Sequence, residues 1–305
     1  MTAAIQTGIK KGFRAGIDLL KVMVPISFIV ELLNWFGVLP IISSLLEPLF
    51  SLFGLPGSAA LAFVTGALLN CYSAIAIMIT IGLDGRETTI LALMVLICHN
   101  LPVEAAVQKK CGSSATFIVF YRIGSAFLAA FILNLLMPVS AAAEISKAAV
   151  DSTDKATLLA TVTSWAIRQA PFLLKIMAII IALMIFNSLM ERYGGDKVLI
   201  KVLSPILKPL GLPTSTAFLW IIANTLGLAY GSSIILAHRA ENRLSLDDIR
   251  ILNVSIATCH SLLEDTLLFV AIGAAFFWIT IPRVIIAMAA VWIYRAVITK
   301  PADSN

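Results

Sequence analysis

Cys98-His99-Asn100-Leu101-Pro102 sits in the middle of one apolar run, and Cys259-His260-Ser261-Leu262 sits in the middle of another, 161 residues later. Outward from this pair the same pattern keeps returning. Arg14-x4-Leu19-Leu20-Lys21-x-Met23 recurs as Arg168-x4-Leu173-Leu174-Lys175-x-Met177. Leu46-x-Pro48-x5-Gly54-Leu55-Pro56-x-Ser58 recurs as Leu203-x-Pro205-x5-Gly211-Leu212-Pro213-x-Ser215, and Arg122 falls opposite Arg283. The offset drifts only from 154 through 157 to 161 residues, so few insertions separate the copies. A duplication written in apolar segments broken by Gly, Pro and polar residues is the mark of a membrane transporter built from structural repeats.

Composition names the solvent. Hydrophobic residues make up 60% of the chain and charged residues 13%, with a mean hydropathy of +0.98. Soluble domains carry roughly 45–50% apolar and about 25% charged residues. A chain this apolar cannot cover a water-facing surface, so its partner is the lipid bilayer. At about 20 residues per crossing, 305 residues allow about eight spanning or half-spanning segments. The net charge of +5 is spread out, with no Lys/Arg stripe to track phosphates, which excludes nucleic acid. The four cysteines form no CxxC pair, which argues against a disulfide framework or a zinc ribbon. The N-terminal segment does not read as a cleavable signal, since its charges continue through Lys21.

The expected fold is an all-α polytopic membrane protein of two homologous, inverted repeats with broken or re-entrant helices. Repeat 1 takes residues 1–139, a polar linker takes 140–160, and repeat 2 takes 161–305. Residues 4–20 place Ile5, Ile9, Phe13, Ile17 and Leu20 on one face, which predicts an interfacial helix. Four apolar segments follow in each copy: 22–42, 58–83, 88–108 and 114–138, then 171–190, 214–237, 249–270 and 274–298. A short amphipathic piece ending in Gly-Leu-Pro lies between the first and second. The Lys/Arg distribution fits parallel and inverted copies equally. Inversion is expected because the third segment looks broken at His99-Asn100-Leu101-Pro102, which predicts that it dips in without crossing.

Polar residues at that depth are the candidate site. Copy one offers His99, Asn100 and Glu104 beside Cys98; copy two offers His260, Glu264 and Asp265 beside Cys259. A charge near the bilayer centre costs at least about 2.5–3.5 kcal/mol on insertion scales, which makes such groups functional by default. His99 and Glu104 share a face only if the helix breaks, whereas His260 and Glu264 share one on an intact helix. His, Cys and carboxylate together suit a borderline transition metal or a proton relay, and the sequence leaves the metal unassigned. The segment after each Gly-Leu-Pro adds Asn70, Cys71 and Tyr72, and then Asn224, Tyr230 and Ser232. Their spacing predicts a discontinuous helix whose half-helix ends bind an ion or polar solute. Arg122 and Arg283 neutralise Glu104 and Asp265, hold an anionic solute, or snorkel to the interface. Glu31 and Asn34 face the interior or a shallow loop. No nucleotide-binding P-loop, HExxH or GxSxG is present, so neither an enzyme nor a cofactor is expected.

At the Gly54-Leu55-Pro56 and Gly211-Leu212-Pro213 elbows, each followed by a Gly/Asn-broken segment, the chain resembles the Gate, or nucleoside-recognition, family. That family includes the membrane part of bacterial ferrous-iron permeases, the spore-maturation membrane proteins and parts of concentrative nucleoside transporters. Gly66 to Cys71 is similar to the Gly-and-Cys stretch of the iron permeases, whereas the second copy carries Gly227 and Leu228 there. The resemblance implies a multi-pass protein of a bacterial inner (cytoplasmic) membrane that binds or moves a small polar solute or cation between its repeats. It also admits a non-transporting membrane scaffold of the spore-maturation type, and either reading is compatible with a homo-oligomer.

Overall fold

The computed structural model describes residues 2–138, 157–194, 207, 209–225, 235–236 and 244–298, and every regular element among them is a helix. The expectations at Tyr230 and Ser232, and for most of the polar linker, lie outside the described residues.

Helix α1 (Thr2–Trp35) is continuous. The sequence reading divides it into an interfacial helix and a separate span, but no breaker stands between them and the helix runs through Pro25. Its packed face is also not the expected one. Ala4, Gly8, Gly12 and Gly16 are buried, while Ile9, Phe13 and Ile17 are exposed. The partner is helix Leu158–Tyr193, which begins inside the stretch assigned to the linker. A Cβ on Gly8 would land on the Ile185 backbone, and one on Gly12 would come within 2.7 Å of the Ile181 Cα. Gly16 lies against the Met177 side chain, and the Phe28 and Trp165 rings stand 5.1 Å apart. Numbers rise on one helix as they fall on the other, so the two run antiparallel. In lipid no hydrophobic force drives helices together, so small residues that permit close backbone approach make the contact and large apolar ones face the acyl chains.

At Gly37 the chain turns by 90° into the amphipathic α2 (Val38–Phe50). The elbow that follows puts Gly54 at φ 66°, and Gly211 repeats it at φ 71°, a left-handed conformation that costs glycine nothing. Helices α3 (Ala59–Leu68) and α4 (Cys71–Ile81) then fold back on each other at Leu69–Asn70. A Cβ on Gly66 would come within 2.9 Å of the Ala74 Cβ. Eight residues along a straight helix would hold those positions about 12 Å apart. The second segment is therefore the hairpin. The third, expected to dip, is α5 (Gly85–Cys98) followed by α6 (Leu101–Lys110), together one apolar segment of 26 residues, long enough to cross. Helix α7 (Ala115–Leu136) completes this half.

The remaining helices are α8 (Leu158–Tyr193), α9 (Ala217–Thr225), α10 (Leu246–Thr258), α11 (Glu264–Ala271) and α12 (Phe276–Ile298). Helix α5 opens with a capping box between Asp84 and Glu87 and is buried on every face from Glu87 to Cys98. Helix α10 opens with Ser245, which accepts from the Asp248 N–H at 3.0 Å, and is buried from Ile251 to Thr258. These two innermost helices need caps because their ends cannot all be solvated. Polar bonds join the halves: Gln108 donates to the Asn253 carbonyl at 3.2 Å, and Gln169 donates to Thr80 at 3.2 Å. Outside, Leu45, Phe120, Leu174 and Phe277 are at least 70% exposed, a surface that suits only lipid. Four segments among the described residues are long and apolar enough to cross a membrane, and α1 with α2 makes a bent fifth.

Because Gly8 and Gly12 meet backbone while Gly16 meets a flexible methionine, Gly8→Ala and Gly12→Ala are each expected to destabilise by about 1–3 kcal/mol, and Gly16→Ala by less. Thermal melting of the detergent-purified protein reads the order; equal effects at all three positions would refute the backbone-contact account.

Candidate functional site

Two half-helices end at one point. Helix α5 reaches Cys98 about 21 Å from its start, and α4 leads back to Cys71 over about 16 Å. Both distances are near half of a hydrocarbon core about 30 Å thick plus its margin. At the junction Asn100 is left-handed (φ 51°) and its N–H donates to the Gly66 carbonyl at 2.9 Å. In the second half Ser261 is left-handed too (φ 49°) and its N–H donates to the Ala223 carbonyl at 3.3 Å. The break thus docks on the helix in front of it in both places. Asn100 serves here through its tolerance of this conformation, and its side chain makes no cap hydrogen bond.

A break at mid-depth strands the carbonyls of the last turn. Arg122, fully buried, donates from Nε to the Ile97 carbonyl at 2.7 Å and from Nη2 to the His99 carbonyl at 2.8 Å. Its Nη1 donates to Glu104 Oε2 at 2.6 Å. Arg283, also fully buried, donates to the Thr258 carbonyl at 3.3 Å, to the His260 carbonyl and to Thr266 Oγ1 at 3.2 Å. Neither arginine snorkels. Each planar fork replaces the N–H groups that a continuous helix would supply, a task the single ammonium of lysine cannot copy. Thr266, where Arg283 ends, carried no sequence signal; its role follows only from standing beside Asp265.

The two histidines meet. His99 Nε2 and His260 Nε2 are 3.3 Å apart, with both rings buried. Their other nitrogens are occupied: His99 Nδ1 lies 3.1 Å from the Val95 carbonyl and His260 Nδ1 2.7 Å from the Ile256 carbonyl. A carbonyl only accepts, so each Nδ1 holds the hydrogen and each Nε2 of a neutral ring turns a lone pair inward. The groups around them are acceptors as well. Glu104 Oε1 is 3.3 Å and Asp265 Oδ2 3.5 Å from His99 Nε2, and Glu104 Oε2 is 3.4 Å from His260 Nε2. The buried thiol of Cys71 closes on His99 and Asp265, with the ligating atoms of that trio within 4.8 Å of one another. His99, Glu104 and His260 form a second trio within the same limit. Apart from Arg122 and the Cys71 thiol these groups present lone pairs, which a cation or protons would satisfy.

Other expected residues surround this centre in different roles. Asn70 caps α4, accepting from the Ser73 N–H at 2.9 Å, so it satisfies the half-helix end that was expected to remain open. Tyr72 donates to Glu264 at 3.1 Å across the two halves. The shared face of His260 and Glu264 does not form, because α10 ends at Thr258 and α11 starts only at Glu264. Asp265, 161 residues after Glu104, is the acid that reaches the imidazoles. Asn224 is buried near the second break, and its Oδ1 finds no partner among the described residues. Glu31 is buried and paired with Arg168 at 2.9 Å, and with Asn34 it lines a cavity of about 480 Å³. A second cavity, of about 450 Å³, is lined by Thr88 and Lys175, and Gly82 at the end of α4 borders both.

Replacing Arg122 by Lys or Gln removes donors from two stranded carbonyls and from a buried carboxylate, a loss of about 3–5 kcal/mol when one partner of a buried pair goes. Arg283→Lys is expected to follow in the same direction. A melting temperature within one or two degrees of wild type in both variants would show that the breaks hold themselves.

Residues 17–136, from α1 through the last residue of α7, match the Gate family, described as nucleoside recognition. The chain is 32% identical over 267 residues, 87% of its length and 86% of the relative's, to the uncharacterized membrane protein YvoD of Bacillus subtilis (strain 168). No solved structure matches it. Span-length apolar segments among the described residues, a Gate match over residues 17–136 and a relative aligned through both halves lead to one conclusion: the chain belongs to the same membrane protein family as YvoD.

Proposed function

We propose that the protein is a permease of a bacterial inner membrane that binds and translocates a small polar solute or cation where its two halves meet. The observation that carries this is the contact of His99 with His260, donor groups from opposite halves, inside a ring of carboxylates at the ends of broken helices. Ionisable groups at this depth are expensive, and satisfying them internally would not require both copies to converge.

The arrangement of the halves supports a transport cycle. The segments carrying Arg14 and Arg168 are equivalent by sequence, yet they run antiparallel. With α1, α5–α6 and α7 crossing and the α3–α4 hairpin dipping, the first half crosses three times, so a second copy enters from the other side. Inverted copies around a central site allow the halves to rock and expose it to each face in turn. The cavities beside Gly82 lie at one end of α4, and Cys71 lies at the other, so they form the approach from one side. On this reading the chain is neither an enzyme nor a passive scaffold, and its solute comes from water rather than from a nucleic acid.

Reconstituted into liposomes, the wild-type protein is expected to take up protons or a cation under an imposed gradient, and His99→Gln/His260→Gln is expected to lose that flux while keeping the wild-type elution volume and helicity. Equal flux in the double variant would overturn the central site, and absence of flux in the wild type across proton, metal and nucleoside gradients would favour the scaffold.

A further inference from the structure

We infer that the ring around His99 and His260 is a binding site for one divalent, borderline transition-metal ion of the zinc or ferrous class. This rests on the reading above that the convergent polar cluster is the protein's binding site, and it names the ligand that site takes.

The separations carry the assignment. Two donors each ~2.0–2.1 Å from one tetrahedral ion stand about 3.3–3.4 Å apart. The two imidazole nitrogens are 3.3 Å apart. Glu104 Oε1 stands 3.3 Å from the His99 nitrogen and its Oε2 3.4 Å from the His260 nitrogen, and Asp265 Oδ2 stands 3.5 Å from His99. Hydrogen bonds of nitrogen to oxygen are usually about 2.7–3.2 Å long. All four of these contacts are longer than that, while the Arg122–Glu104 bond in the same cluster is 2.6 Å. The three contacts among His99, Glu104 and His260 have the spacing of groups that face a common centre, and Asp265 joins them through His99.

The surroundings of the donors agree with the spacing. Each histidine gives its Nδ1–H to a backbone carbonyl one turn back, from Val95 and Ile256, which fixes the ring and aims Nε2 at the centre. That is the usual support of a metal-bound histidine. Glu104 is steadied by Arg122, and Cys71 adds a sulfur donor on the Asp265 side of His99. Nitrogen, sulfur and carboxylate together select zinc, iron(II), cobalt or nickel and give magnesium and calcium no advantage, since those prefer an all-oxygen shell. The histidines and the acids come from both halves, so the ion also holds the halves together.

The test uses the full chain, purified in detergent and stripped with chelator, then titrated with Co(II) and Zn(II). About one Co(II) per chain is expected, with visible d–d bands of tetrahedral intensity, displaced by Zn(II) but not by Mg²⁺ or Ca²⁺. His99→Gln, His260→Gln and Glu104→Gln are each expected to weaken binding by at least the roughly 10- to 100-fold that loss of an orienting partner costs. Cys71→Ser is expected to remove any thiolate-to-cobalt band and leave the imidazole-dependent bands. Failure of wild-type protein to bind Co(II) or Zn(II), or equal affinity in the correctly folded His99→Gln/His260→Gln variant, overturns the assignment. If metal does not bind while that double variant still loses proton flux in liposomes, the metal is excluded and the permease reading stands; if both readouts are unchanged, both fall.

Discussion

A helix that stops halfway across a bilayer leaves carbonyls with no water to turn to, and everything distinctive in this fold answers that constraint. The chain stops helices at mid-depth at His99–Asn100 and again after Thr258, and each time one fully buried arginine closes over the stranded oxygens. The same breaks free the polar side chains beside them from the helical lattice. With a continuous helix, His99 and Glu104 would point about 140° apart. With Asn100 left-handed, both reach the centre. The backbone cost of the break and the convergence of the site are one feature.

Lipid as solvent also turns the usual packing pattern inside out. Over the first sixteen residues of α1 the buried stripe is alanine and glycine, while phenylalanine and isoleucine lie on its outer face. The long helices α1 and α8 approach by backbone at Gly8 and Gly12 and through the Met177 side chain at Gly16. Polar bonds cross elsewhere, as between Tyr72 and Glu264 or Tyr121 and Thr258 at 3.2 Å, near the place where the breaks meet.

Several elements were legible because their cause is local. The Gly-Leu-Pro elbows turned where glycine permits, and the two arginines fell opposite each other. Others were misread for physical reasons. The apolar face of residues 4–20 looked interfacial because the sequence does not show that a glycine stripe on the same helix has a partner 34 residues long or more. The third segment looked re-entrant because it holds a proline and a histidine, but direction after a break depends on a neighbouring helix, and the real hairpin formed at Asn70, where Gly66 could take Ala74 against it. Glu264 looked like the partner of His260 by helical spacing, and the break passed that place to Asp265.

By itself the sequence determined the solvent and the identity of the costly groups, because hydropathy and residue type need no third dimension. Only the tertiary structure decided that His99 and His260 touch, that Arg122 and Arg283 face inward and that the long helices oppose each other. The histidine contact and the opposed helices depend on residues more than a hundred positions apart, the arginines on carbonyls that a break frees about 25 positions away, and no local spacing encodes which side of a broken helix will find its partner.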